Sequence, residues 1–177
     1  MAKTMKISAC ISSVAALLTA VIYRFVPAPF LLSLAITFGT VAYHLDIRLV
    51  VGGILDKTMK NRANYRAWWF RPRSFEPRLY RFLRVKSWKG KMPTYRSAYF
   101  STKEHTLEEI VQAMCQAELV HEINVFLSFL PLFTVRFFGS LTVFLLTSLA
   151  AACFDMLFVI MQRFNRPRIV RIIDRQK

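Results

Sequence analysis

Three polar side chains suited to acid–base chemistry lie directly before a long apolar run. Glu118, His121 and Glu122 are spaced i, i+3 and i+4, so a helix places all three on one face. An imidazole beside a carboxylate suits general base catalysis, because the carboxylate orients the ring and stabilises the imidazolium formed when a hydroxyl loses its proton. The alternative is an interfacial helix end with solvated charges. We favour the catalytic interpretation, because a Glu-His-Glu cluster is less common than a merely polar helix end.

Ionisable side chains also interrupt two of the apolar runs. His44 and Arg48 share a face of the second run by their i, i+4 spacing, and Asp155 stands alone in the inner half of the last run. An arginine at membrane depth needs an anionic partner, such as Asp155, Glu118 or a lipid phosphate. Structural pairing and substrate binding are therefore both open for His44, Arg48 and Asp155.

Three guanidinium groups follow the last apolar run within six residues. Arg163, Arg166 and Arg168 are accompanied by the amides of Gln162 and Asn165. Positive charge is expected of an anchor at the membrane surface, but an anchor has no use for the two amides. The segment therefore predicts a site that binds phosphate or carboxylate through bidentate arginine contacts, in addition to anchoring the chain.

The remaining motifs give weak signals. Trp88-Lys89 lies in a basic segment with one glycine and no strand pattern, so it resembles no phosphate-binding loop. The sequence contains neither GxSxG nor HExxH. Cys10, Cys115 and Cys153 have neither CxxC spacing nor nearby histidine ligands. We therefore predict no metal site and no disulfide framework.

The elements that position these residues follow from the distribution of hydrophobicity and charge. The chain is 55% hydrophobic yet has 25 lysines and arginines against 10 acidic residues, and the two properties are segregated along it. Runs of roughly 20 apolar residues match the thickness of a bilayer. We predict an all-α integral membrane protein with one membrane domain over 1–177 and about four transmembrane helices. The predicted spans are about 7–26, 30–55, 118–134 and 138–161, with a loop over 56–117 and a tail over 162–177.

The positions of the basic residues predict the orientation. Two precede the first run, fourteen lie in the loop and six in the tail, whereas the outer connections carry only Arg24 and Arg136. By the positive-inside rule both termini and the loop are cytoplasmic, which requires an even number of crossings. A re-entrant hairpin formed by the last two runs would preserve the same sidedness.

The basic residues of the loop alternate with large aromatic residues. Such a segment suits the membrane interface, where aromatic rings lie at headgroup level and basic side chains reach phosphates. We therefore predict a short interfacial helix at about 77–85 on the inner leaflet, with membrane lipids as partners. This composition is also typical of single-stranded nucleic-acid binding, but attachment to a bilayer favours lipid, and nucleic acid is not a predicted partner. Thr106 and Glu109 form a capping box that predicts the next helix start.

Three segments resemble the glycosyl-4,4'-diaponeurosporenoate acyltransferase family. They are Trp88-Lys89, Ala117-Glu118-Leu119-Val120-His121 and Gln162-Arg163-Phe164-Asn165-Arg166-Pro167-Arg168, and the resemblance covers roughly 84–172. The order and approximate spacing of the segments agree with the family, and the last segment is the most specific. The N-terminal half, including Tyr43-His44 and Arg48, is similar to clostridial members of the family.

The resemblance implies an integral enzyme of the bacterial cell membrane that esterifies a sugar hydroxyl of a glycosyl carotenoid or similar glycolipid with a fatty acyl chain. The implied donor is an acyl thioester, either acyl-CoA or an acyl carrier protein, and no bound cofactor is implied. Residues carried over as site candidates are Glu118, His121, Arg163, Asn165, Arg166 and Arg168.

A mechanism follows from combining these residues with the predicted topology. His121 would deprotonate the acceptor hydroxyl, oriented by Glu118 or Glu122, and Trp88 would cover the site. Four basic residues would hold the phosphates of a coenzyme A donor, namely Lys86, Lys89, Arg163 and Arg166.

Two other functions use the same residues. A small membrane lipid methyltransferase would also place Glu, His and Arg at the inner interface, and it would bind S-adenosylmethionine. A non-catalytic lipid-binding or assembly protein would need the arginines only to hold anionic headgroups. A homo-oligomer is compatible with any of these functions, because four short spans bury little surface.

Overall fold

The fold of the described chain is entirely helical. The computed structural model describes residues 2–93 and 97–176, and within these ranges it contains α and 3-10 helices but no strand. Four helices of the described residues are long and apolar enough to cross a membrane. The predicted all-α membrane fold is therefore confirmed.

Seven α-helices are labelled in chain order. They are α1 (Ala2–Phe25), α2 (Pro29–Met59), α3 (Glu76–Phe82), α4 (Val85–Trp88), α5 (Leu107–Leu127), α6 (Val135–Phe138) and α7 (Leu141–Arg175). Short 3-10 segments lie at Trp68–Phe70, Lys89–Lys91, Ser97–Phe100 and Leu130–Thr134. The predicted loop helix corresponds to α3 and α4, and α7 continues as helix through most of the predicted tail.

Prolines, a glycine and a capping box set the ends of the long helices. Pro29 opens α2, where the missing N–H of proline is not needed. At the start of α5 the Thr106 backbone N–H donates to Glu109 at 2.8 Å, and the Glu109 N–H donates to the Thr106 hydroxyl at 3.2 Å, which confirms the capping box. Gly139 has a φ of +67° in the turn before α7, a conformation that favours glycine.

The described residues pack into two compact units. The first consists of residues up to Gly52 together with Asn124–Cys153, and the second of Gly53–Ile123 together with the residues from Phe154 onwards. In the first unit, the Tyr43 hydroxyl donates to the Leu127 carbonyl at 2.7 Å. This unit also contains a cavity of about 580 Å³ with a mainly apolar lining.

The second unit positions the candidate site. A small core of Ala63, Phe70 and Cys115 packs with neighbouring apolar side chains. Gln116 on α5 donates to Asp56 at 2.9 Å and accepts from the Asn61 backbone N–H at 2.7 Å, which holds the chain after α2 against α5. The loop residues that follow are thereby brought beside the polar segment of α5.

Candidate active site

His121 on α5 forms a dyad with Asp155 on α7. The distance from His121 Nδ1 to Asp155 Oδ1 is 2.8 Å. The Asp155 side chain is fully buried, whereas 22% of the His121 side chain remains exposed. The imidazole stacks on the Phe158 ring, with centroids 4.4 Å apart and planes inclined by 8°. The orientation of the imidazole is therefore fixed by the hydrogen bond at Nδ1 and by stacking on the Phe158 ring.

This geometry specifies the role of each ring nitrogen. A carboxylate only accepts hydrogen bonds, so His121 Nδ1 carries a proton when it meets ionised Asp155. Nε2 then has the free lone pair that a general base needs. Asp155 would also stabilise the imidazolium formed after proton abstraction, as the acid of a catalytic triad does.

The two glutamates on the same helix make other contacts, which corrects the prediction that Glu118 or Glu122 orients His121. Glu118 is fully buried and binds two arginines of α7. Glu122 accepts a hydrogen bond from Trp69 Nε1 at 2.8 Å. Both glutamates are bound by other donors, and the carboxylate beside the His121 ring is that of Asp155, a residue predicted to bind substrate or pair with Arg48.

Glu118 belongs to a buried ionic network with Glu76, Arg163 and Arg166. Arg163 donates to Glu118 at 2.7 Å and to Glu76 at 2.6 Å, and Arg166 pairs with the second oxygen of Glu118. Two carboxylates thus face two guanidinium groups, so the formal charges balance. Charge-assisted bonds of this kind are required where ions lie out of contact with water.

The network also holds backbone of the loop after α2. Arg163 donates to the carbonyls of Trp69 at 3.2 Å and Arg71 at 3.1 Å, and Arg166 donates to the carbonyl of Phe70 at 2.7 Å. With its two bonds to Glu76 and one to Glu118, Arg163 uses all five of its N–H donors inside the protein. This corrects the prediction that Arg163 binds a phosphate, because it has no donor left for one.

A protein-family model covers most of this unit. The model described as glycosyl-4,4'-diaponeurosporenoate acyltransferase (CrtO) matches residues 66–175, more than half of the chain. The chain belongs to this family. No curated protein and no solved structure shows a significant match to the chain.

Membership of this acyltransferase family makes the chain an acyltransferase, and it implies a glycosyl carotenoid as acceptor. The dyad and the ionic network lie wholly inside the matched residues. His44 and Arg48 lie outside them, in the first unit. Arg48 donates to the Ala151 carbonyl at 3.1 Å and also to the His44 carbonyl. The structure thus gives Arg48 backbone partners, and substrate binding by these two residues stays a prediction.

The segment of this acyltransferase from Gln162 to Arg168 contributes to a second group of polar residues. Lys89 donates to Asn165 Oδ1 at 2.5 Å, and its ammonium lies 4.9 Å from the Phe164 ring centroid. The guanidinium of Arg168 lies 4.1 Å from the same centroid. Burial, together with the positive charges of Arg168 and Lys86, lowers the pKa of Lys89 from its ordinary value. Lys89, Asn165 and Arg168 are therefore brought together around Phe164, and substrate binding by them stays a prediction.

Two further predicted site residues are Gln162 and Trp88. Gln162 is buried, with 6% of its surface exposed. The indole N–H of Trp88 donates to the Leu83 carbonyl at 2.9 Å, a local bond that closes the turn between α3 and α4. Covering of the site by Trp88 and substrate binding by Gln162 stay predictions.

Sequence reasoning missed Phe158, Trp69, Glu76 and Tyr80. Phe158 follows Asp155 by three residues, and that helical spacing could have indicated a shared face. Glu76 is the only acidic residue between Lys57 and Lys103, a stretch with fourteen basic residues, which is itself a signal for an ion pair. Tyr80 donates to Glu76 at 2.9 Å, and burial and this carboxylate raise the pKa of Tyr80 well above its ordinary value. Its hydroxyl therefore stays protonated as a donor.

Proposed function

We propose that this acyltransferase uses His121 as a general base to transfer a fatty acyl chain from a thioester to a hydroxyl of a membrane glycolipid. The observation that carries the proposal is the bond between His121 Nδ1 and buried Asp155 at 2.8 Å. It is the arrangement of base and orienting acid that acyl transfer to a hydroxyl requires. The glycosyl carotenoid implied by the family is the first acceptor to consider.

The reaction needs one proton to move through the imidazole. His121 Nε2 takes the proton of the sugar hydroxyl as the oxygen attacks the thioester carbonyl carbon. The C–O bond forms, the C–S bond then breaks, and the leaving thiolate takes the proton back from the imidazolium. The products are an ester and a free thiol, and the ring returns to its starting state.

The surroundings of the ring support this role. Asp155 is shielded from water, so its attraction for the imidazolium is stronger than at a solvated surface. The Phe158 ring limits rotation of the imidazole about its side-chain bonds. A base that is already oriented loses less entropy when the reaction begins.

The substrates fit the predicted topology. A lipid acceptor would enter laterally from the bilayer, which four of the described helices are long and apolar enough to cross. The donor, acyl-CoA or an acyl carrier protein, would come from the cytoplasm, to which the basic loop and both termini are assigned by the positive-inside rule. We propose the bacterial cell membrane as the location. Methyl transfer and a non-catalytic lipid-binding role have no support comparable to the family match.

The test is to replace His121 by Ala and follow lipid esterification. Cells that accumulate a glycosyl carotenoid would express either form, and mass spectrometry would quantify the product carrying one more acyl chain. We expect His121→Ala to lower product formation by about 100-fold or more, the usual contribution of a positioned base.

His105 offers the matched control, because it is a partly exposed histidine 3.6 Å from Glu109 and away from the dyad. His105→Ala should retain full activity, and both variants should be extracted from membranes in the same amount. An undiminished acyl transfer by His121→Ala would refute the general base role. Failure of the unaltered protein to modify the carotenoid would reject that acceptor, and the same assay would then be applied to host glycolipids.

A further inference from the structure

The second unit contains a cavity with arginines on several sides. Its volume is about 410 Å³. Its guanidinium-bearing residues are Arg66, Arg71, Arg166 and Arg171, which together define the arginine cavity. The rest of the lining is mainly aromatic, aliphatic and proline, including Phe70 and Val170. Four like charges around one partly open space repel one another unless anionic groups lie among them.

Two of the four arginines have carboxylate partners inside the protein. Arg66 pairs with Asp174 at 2.6 Å, and Arg166 pairs with Glu118. Arg71 and Arg171 are exposed, and within the part of the chain that the structure describes neither forms an ion pair with a carboxylate. The cavity therefore has two guanidinium groups whose charges no carboxylate of the described residues balances.

The fold holds these groups in place. Arg166, Val170 and Arg171 lie on α7, and all three line the cavity. Arg71 lies in the loop whose carbonyls are fixed by Arg163, and its Nε–H donates to the Arg66 carbonyl at 3.4 Å. The backbone on both sides of the cavity is thus held in place. Binding of an anion therefore does not have to order this backbone.

We propose that the arginine cavity binds a phosphate group through Arg71 and Arg171. Guanidinium groups recognise phosphate oxygens bidentately, and a partly enclosed apolar wall strengthens such contacts. Two sources carry this chemistry: a coenzyme A thioester donor and an anionic lipid headgroup. The first source rests on the proposed acyl transfer, whereas the second does not.

The test compares Arg71→Gln/Arg171→Gln with Arg78→Gln/Arg81→Gln. The control pair removes two exposed arginines of α3 that lie outside the cavity lining. Each protein is reconstituted in phosphatidylcholine nanodiscs and titrated with coenzyme A. We expect the cavity variant to bind coenzyme A about tenfold or more weakly than the control, the effect of losing charged hydrogen bonds.

A second arm addresses the lipid source. Each protein is purified from membranes containing phosphatidylglycerol, and native mass spectrometry counts the copies retained. Loss of coenzyme A binding only, or of phosphatidylglycerol only, supports the site and identifies its ligand. Equal coenzyme A affinity and equal lipid retention in the cavity and control variants would overturn the proposal.

Neither binding measurement requires acyl transfer to occur, so failure of this proposal can be distinguished from failure of the proposed function. His121→Ala should bind coenzyme A normally even where acyl transfer is lost. Should the cavity variant elute abnormally in size exclusion, Arg71→Lys/Arg171→Lys replaces it. Lysine keeps the charge but not the bidentate fork, so this pair should also bind more weakly than the control.

Discussion

The imidazole of His121 takes its carboxylate from another helix and not from its own. Glu118 and Glu122 are nearer in sequence, yet one is held by two arginines and the other by Trp69. Proximity along a helix puts side chains on one face but does not decide which donor each acid meets. Because both glutamates accept hydrogen bonds from other residues, Asp155 is the carboxylate that pairs with the His121 imidazole.

Asp155→Asn tests whether this partner sets the tautomer. An amide oxygen can accept from Nδ1, but an amide N–H can equally donate to it and move the ring proton to Nε2. We expect kcat to fall by about 10²- to 10⁴-fold with a smaller change in KM, because a misplaced tautomer removes the base without removing the binding site. Steady-state acyl transfer in nanodiscs would measure both constants.

Glu104→Gln is the control for this substitution, since Glu104 is an exposed acid in the loop. It should leave both constants unchanged. An Asp155→Asn protein with normal kcat would mean that the buried acid has a structural role alone, and the general base mechanism would need another orienting group.

At the scale of elements, the ionic network joins α3, α5, α7 and the loop after α2. Glu118 receives two guanidinium groups, and Arg163 binds Glu76 at the start of α3. A buried ion pair adds little net stability over an apolar pair of the same shape, but removing one member is costly. The network therefore acts mainly by specifying how the loop is placed against the helices.

Glu118→Gln should destabilise the second unit by about 3–5 kcal/mol, because it leaves Arg163 and Arg166 facing each other without a full counter-charge. Thermal unfolding in detergent would show a lower midpoint. Glu122→Gln is the matched substitution on the same helix and should cost about 1 kcal/mol or less, since only its bond to Trp69 is affected. Unchanged unfolding combined with lost activity in Glu118→Gln would instead assign Glu118 a direct catalytic role.

The sequence predicted the helices better than it predicted the side-chain contacts between them. Apolar runs and the capping box at Thr106 predicted the long helices, because each of these signals is local. The helical extent of α7 was underestimated: hydropathy marks only its apolar part, and the polar residues from Gln162 onwards continue the same helix. The pairing of Glu118 with Arg163 joins residues 45 positions apart, and no periodicity encodes it.

At the scale of the whole molecule, positive charge is concentrated in the parts of the chain that are assigned to the cytoplasm. The net charge is +15, yet only Arg24 and Arg136 lie in the connections assigned to the outer side. A chain with so many basic residues between its apolar helices is strongly directed to one orientation, because basic residues are retained on the cytoplasmic side during insertion. The predicted orientation would place the dyad and the arginine cavity near the proposed supply of acyl thioesters.

Single cysteines would test the orientation in intact cells. The background is Cys10→Ser/Cys153→Ser, which removes the two exposed thiols and keeps buried Cys115. Arg136→Cys should react with a membrane-impermeant maleimide added from outside, whereas Lys103→Cys should react only after the cells are permeabilised. The reverse pattern would invert the topology and separate the site from its thioester donor. If Lys103→Cys behaved as expected but Arg136→Cys also reacted only after permeabilisation, or not at all, α5 and α7 would form a re-entrant hairpin, since a true crossing must expose the turn between them on the outer side.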